Sequence, residues 1–135
     1  MPLWPIIAAA VILLIAWTLI PGMKHWRYRR AIRERTLATA AWEAEFPNAM
    51  PTVKQVLTIF CDAFLFNERH RFHFRPDDKV ADVYKGTTGP VADEMQVERL
   101  GMALRQSFGV KLADSFNVNT TLRDIVALVA GRGEN

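Results

Sequence analysis

The chain has 135 residues, 50% of them hydrophobic, with a formal net charge of +3 and one cysteine. That length holds one small domain plus an accessory segment. A lone cysteine excludes an intramolecular disulfide, so the fold is compatible with a reducing compartment.

Residues 3–20, LWPIIAAAVILLIAWTLI, form an uncharged run of 18 residues. As a helix this run is roughly 27 Å long, close to the hydrocarbon core of a bilayer. It is dominated by Leu, Ile and Val, and Trp4, Trp17 and Trp26 lie near its ends, where indoles suit an interface. Pro5 falls in the first turn, where its missing N–H costs nothing. The pattern predicts a transmembrane anchor over residues 1–23. The rival reading, a cleaved signal peptide, requires a basic start and a small-residue cleavage site. Met1–Pro5 carries no side-chain charge, and bulky and basic residues follow the run.

The basic cluster comes next: Lys24, Arg27, Arg29, Arg30, Arg33 and Arg35 against Glu34 alone. Six positive side chains and one negative give the segment +5, so the rest of a chain of net +3 carries −2. The positive-inside rule predicts a single-pass inner-membrane protein, N-terminus outside and the remainder in the cytoplasm. The cluster reads either as a topology determinant or as a surface attracted to anionic lipid, at about 1 kcal/mol per basic residue. Either way the charge is local and gives no reason to expect a nucleic-acid partner.

The segment 24–46 is rich in helix formers and lacks Gly and Pro, which predicts that the first helix continues towards Phe46. Pro47 and Pro51 then break it at residues 47–51, and a helical bundle is expected over 52–131, with a tail at 132–135. Val53, Val56, Leu57, Phe60 and Phe64 recur at three- and four-residue intervals, the mark of a helix burying one face. Residues 68–92 read as a long connection, in which RFHFR alternates as a brief extended piece would and DDKVADVY suits a helical turn. A second helix starts near Asp93, an N-cap with Gln96 at capping-box spacing. Its buried face is Val97, Leu100, Leu104 and Phe108, with Met95 and Ala103 beside it, and Gly109 stops it. After a short piece in VKLADSFNVN, a last helix starts at Thr120 or Thr121, with Leu122, Ile125, Val126 and Val129 as its apolar face. The expected fold class is all-α: a transmembrane helix followed by a small three- or four-helix bundle.

Pro51 to Ala130 resembles the acyl carrier protein family in its order of helix, long loop, helix, short piece, helix. DEMQVERLGMALRQSFGV is similar to the carrier helix that opens with Asp-Ser-Leu, and TTLRDIVALV to the closing carrier helix. A bacterial carrier-like group without the usual serine is the nearest resemblance. The family attaches 4′-phosphopantetheine through that serine. Matched residue by residue, its Asp corresponds to Asp93 and its Leu to Met95, while Glu94 occupies the serine position. Glu94 offers no hydroxyl to phosphorylate, so the resemblance implies a chain without the cofactor. Neither Ser107 nor Ser115 follows an Asp at a helix start.

The implied function is a non-enzymatic interaction module. Its expected partners are the lipid bilayer and an unidentified cytoplasmic or membrane protein, and its contact face includes Asp93, Glu94, Met95, Glu98 and Arg99. The alternative is a genuine membrane-tethered carrier with another attachment residue. Glu94 either serves only the helix dipole, worth roughly 0.3–1 kcal/mol, or stands in for the carrier's phosphate charge in partner recognition. Glu94 and Glu98 against Arg99 and Arg105 make the helix surface neutral overall, unlike the acidic helix that the family presents to its enzymes.

His70 and His73, with Cys61 or Asp77, invite a metal reading. Their spacing is no zinc signature and Arg69 and Arg71 oppose a cation, so the segment is expected to be a solvated loop. Asp77, Asp78 and Asp82 lack the ligand order of a calcium loop, and no phosphate-binding loop follows. No nucleophile–base or paired-carboxylate pattern has supporting context, so neither enzyme activity nor a cofactor is expected.

Overall fold

The structure is a computed structural model that describes residues 2–87 and 95–133. Among the described residues the chain is all-helical: α1 (Trp4–Arg33), α2 (Thr39–Glu45), α3 (Met50–Ala63), α4 (Val80–Thr87), α5 (Met95–Phe108) and α6 (Leu122–Gly133). Two 3₁₀ helices join them, η1 (Glu68–His73) and η2 (Leu112–Asp114). One isolated antiparallel bridge, Lys79 to Thr121, lies outside any strand.

The membrane anchor expected over residues 1–23 is corrected by the structure. Among the described residues no helix is long and apolar enough to cross a membrane. α1 has 30 residues, about 45 Å at 1.5 Å per residue, but it is not apolar throughout: Lys24, Arg27, Arg29, Arg30 and Arg33 lie along its C-terminal third. From Tyr28 onward α1 belongs to the packed domain, with Ile32 fully buried in the core and Tyr28 packed against it. The single-pass topology, the inner-membrane location and the outside N-terminus fall with the anchor.

The helix expected to continue to Phe46 is interrupted at 34–38. Nothing in that stretch forbids a helix, and tertiary contacts turn the chain instead. Arg35 pairs with Asp78 at 2.7 Å, and the Ala38 N–H donates to the Phe72 carbonyl at 2.7 Å. The turn brings α2 over the domain and drives Trp42 into the core, where its indole N–H donates to the Phe74 carbonyl at 2.9 Å. Residues 46–49 separate α2 from α3, and Pro51, expected to belong to the break, sits in the first turn of α3; Ile32, Ala38 and Trp42 on one side share a core with Val53, Val56 and Phe60 on the other.

α3 packs against η1, α5 and α6. Its expected apolar face, Val53, Val56, Leu57, Phe60 and Phe64, is fully buried. On α5 the described buried residues are Leu100 and Leu104, with Val97 and Phe108 partly buried against the core. Gly109 ends α5 at φ 69°, its N–H donating to the Arg105 carbonyl at 2.8 Å, the left-handed position where a side chain would strain the backbone. α6 begins with a reciprocal cap: the Asp124 carboxylate accepts from the Thr121 N–H at 3.0 Å, and the Thr121 hydroxyl accepts from the Asp124 N–H at 3.2 Å. Two further first-turn donors, the N–H groups of Leu122 and Arg123, reach the carbonyls of Asp78 and Pro76.

The connection after α3 is more ordered than a solvated loop. RFHFR is not extended but belongs to or follows η1, and DDKVADVY supplies the start of α4. η1 packs on α3 and α1, and Phe74 just after it is buried edge-on against Phe60 and Phe66.

Candidate functional site

The expected contact face falls partly outside the described residues: Asp93 and Glu94 lie there. Met95 opens α5, and Glu98 and Arg99 are exposed along it. Glu98 borders a cleft of about 690 Å³ between α5 and η2, whereas Arg99 is not among its lining residues. Val97, Val110 and Phe116 make its apolar walls. Its charged border holds Glu98 and Asp114 against Arg105 and Lys111, two of each sign.

Two neighbours on α5 define the open side of this cleft. Met102 is 62% exposed. A β-carbon placed on Gly101 would have no neighbour within 4 Å. A glycine inside a helix costs about 0.5–1 kcal/mol relative to alanine. Among the described residues nothing packs where a Gly101 side chain would stand. Sequence reasoning assigned no role to either residue. The available signal was a glycine in mid-helix beside an apolar residue, one position off the stripe formed by Leu100 and Leu104.

A larger hollow of about 800 Å³ lies between the α2–α3 turn and the end of α6. Its acid, Glu45, is already engaged by Arg123, which also pairs with Asp77 at 2.6 Å. This leaves the α5–η2 cleft as the better candidate site.

The basic cluster after residue 23 is drawn largely into the fold. Arg29 donates to the carbonyls of Phe64 and Leu65 at 3.0 and 3.1 Å and lies over the Phe66 ring. Burial, aided by the neighbouring charge of Arg33, lowers its pKa. Arg30 pairs with Glu34 and Arg35 with Asp78. Arg27 and Arg33 are exposed. The Lys24 side chain lies outside the described residues.

Among the described residues no three His, Cys, Asp or Glu side chains are placed to hold a metal ion. Cys61 is fully buried, and burial raises its thiol to about 12, with Arg71 opposing and Glu68 assisting the rise. It is therefore a protonated core residue and not the thiolate a metal needs. Asp77 is committed to Arg123. His70 and His73 do come together, ring centroids 5.2 Å apart.

No protein-family model, curated protein or solved structure matches the chain.

Proposed function

We propose that this chain is a non-enzymatic protein-interaction module that docks a partner's apolar side chain, carried on a helix or loop, into the cleft between α5 and η2. The observation that carries the reading is the adjacency of Gly101 and Met102: an open strip of backbone beside a flexible, exposed apolar side chain over an apolar floor. Glycine permits close approach of a partner, and methionine adapts its shape to what it meets. The balanced border favours a partner segment without strong net charge.

The order α3, α5, η2, α6 is in keeping with an acyl-carrier-like plan, and the carboxylate of Glu94 favours a version of that plan without the prosthetic arm. On this reading the charge of Glu94, which precedes Met95 in the sequence, adds to partner recognition. A photo-reactive residue at position 102 tests the proposal, with position 118 as control, because Val118 is equally apolar and 70% exposed but outside the cleft. The expected result is a discrete crosslinked protein from position 102 that position 118 does not give and that Glu94→Gln weakens without lowering the melting temperature. Equal crosslinking from both positions would refute docking at the cleft.

A further inference from the structure

The face that η1 shares with α1 holds more positive charge than its surroundings neutralise. In a 3₁₀ helix side chains three residues apart eclipse one another, so His70 and His73 stand on one face with their rings at 71°. The Nδ1 atom of each ring is buried and has no hydrogen-bond partner. A buried donor without an acceptor is costlier and rarer than a buried acceptor without a donor. A neutral ring with such an Nδ1 keeps its proton on Nε2, so each histidine has an Nε2–H donor to offer.

Arg69 adjoins His70 in η1, and Arg33 ends α1, the helix that packs on η1; both arginines are exposed. Arg71 follows, its Nε buried without a partner and its guanidinium 5.9 Å from the Phe72 ring centroid. Among the described residues Arg33, Arg69 and Arg71 form no ion pair, while the acid on the adjoining part of α1, Glu34, is already held by Arg30. α3 contributes the buried Cys61 thiol and the exposed Asp62, and η1 its own Glu68. Cationic neighbours and the absence of a third ligand disfavour a metal ion. Two imidazole donors flanked by guanidinium groups suit a multiply charged oxyanion, which several donors can share.

We propose that the Nε2–H groups of His70 and His73, with the guanidinium groups of Arg33 and Arg69, form a binding site for a phosphate group. The site is separate from the α5–η2 cleft and does not depend on the docking role assigned there. Burial, then His73, Arg69 and Arg33, lowers the pKa of His70, so the ring is neutral near pH 7 in the free protein. A bound phosphate opposes that shift at His70, while over pH 6 to 8 phosphate itself gains negative charge, so the two ionisations act on binding in opposite senses.

The test is histidine side-chain NMR on the full chain, titrated with inorganic phosphate and, in a second arm, with glycerol 1-phosphate, at constant ionic strength set by chloride. Saturable shifts of the His70 and His73 nitrogens, larger than any at His25, are expected. Arg33→Gln, at an exposed position, should weaken the affinity about fivefold or more while leaving the melting temperature unchanged. Saturation by either compound supports the site. Tighter binding of the monoester assigns a phosphorylated molecule as its ligand, and saturation by inorganic phosphate alone assigns the free ion. Shifts that do not saturate, that chloride reproduces, or that Arg33→Gln leaves intact would overturn the proposal.

Discussion

The indole N–H of Trp42 donates to the carbonyl oxygen of Phe74 at 2.9 Å, in a core position with no solvent exposure. This bond ties the N-terminal strap of α1 and α2 to the connection that carries η1. Trp42→Phe removes the donor, strands the carbonyl in an apolar setting and opens a small cavity. The expected loss is about 2–4 kcal/mol of unfolding free energy, measured by urea denaturation. A loss below about 0.5 kcal/mol would mean that the strap is not part of the cooperative unit.

Two glycines should respond in opposite directions. A β-carbon on Gly86 of α4 would lie 2.6–2.7 Å from three ring atoms of Tyr28 on α1, and those atoms belong to the rigid ring rather than to a flexible tip. Gly86→Ala should therefore cost about 1–3 kcal/mol by overpacking. Gly101→Ala meets open space and should stabilise α5 by about 0.5–1 kcal/mol. Denaturant midpoints of the two variants, compared with the parent chain, check both signs.

Alkaline pH should destabilise the protein progressively from about pH 9 upward. Burial raises Cys61 from 9.0 to about 12. Burial, reinforced by the charges of Asp78 and Asp82 and opposed by Arg35, raises Tyr28 from 10.0 to about 12. Both groups are neutral in the fold and ionise more readily in the unfolded chain. Their contribution is complete below the unfolded values and is lost as pH rises from about 9 towards 12. The melting temperature should hold to about pH 9 and then fall, and Cys61→Ala should remove the earliest part of the decline. An unchanged decline in that variant would rule out the thiol as its source.

Glu94 has no hydroxyl through which a phosphodiester can form. Coexpression with a phosphopantetheinyl transferase should leave the intact mass of the chain unmodified, as read by mass spectrometry. A pantetheine-sized increase would restore the reading of the chain as a genuine acyl carrier.

The bundle was legible where local chemistry and packing agree. The three- and four-residue spacing of Val53, Val56, Leu57, Phe60 and Phe64 marked the buried face of α3. Gly109 marked the end of α5, and the two threonines at 120 and 121 marked the start of α6. The break at 34–38 was not legible, because it contains neither Gly nor Pro and is imposed by Arg35–Asp78 and Ala38–Phe72 contacts formed across the fold. The same contacts explain why 68–73 is ordered, since the Phe72 carbonyl is one of their acceptors. The apolar run at the start read as a membrane span because hydropathy measures composition over a window. It does not register that the helix is taken into the domain from Tyr28 onward. The cleft escaped because Gly101 and Met102 lie off the apolar stripe, and only the placement of η2 turns that part of α5 into a concave surface.

Docking at the cleft is tested most directly by crosslinking from position 102 in a Gly101→Leu background. Leucine favours the helix more than glycine does and projects into the space beside Met102, so the fold should be at least as stable while the approach is blocked. The account predicts that the crosslinked partner is lost while the melting temperature is maintained or raised. An undiminished crosslink in a stably folded Gly101→Leu chain would contradict it.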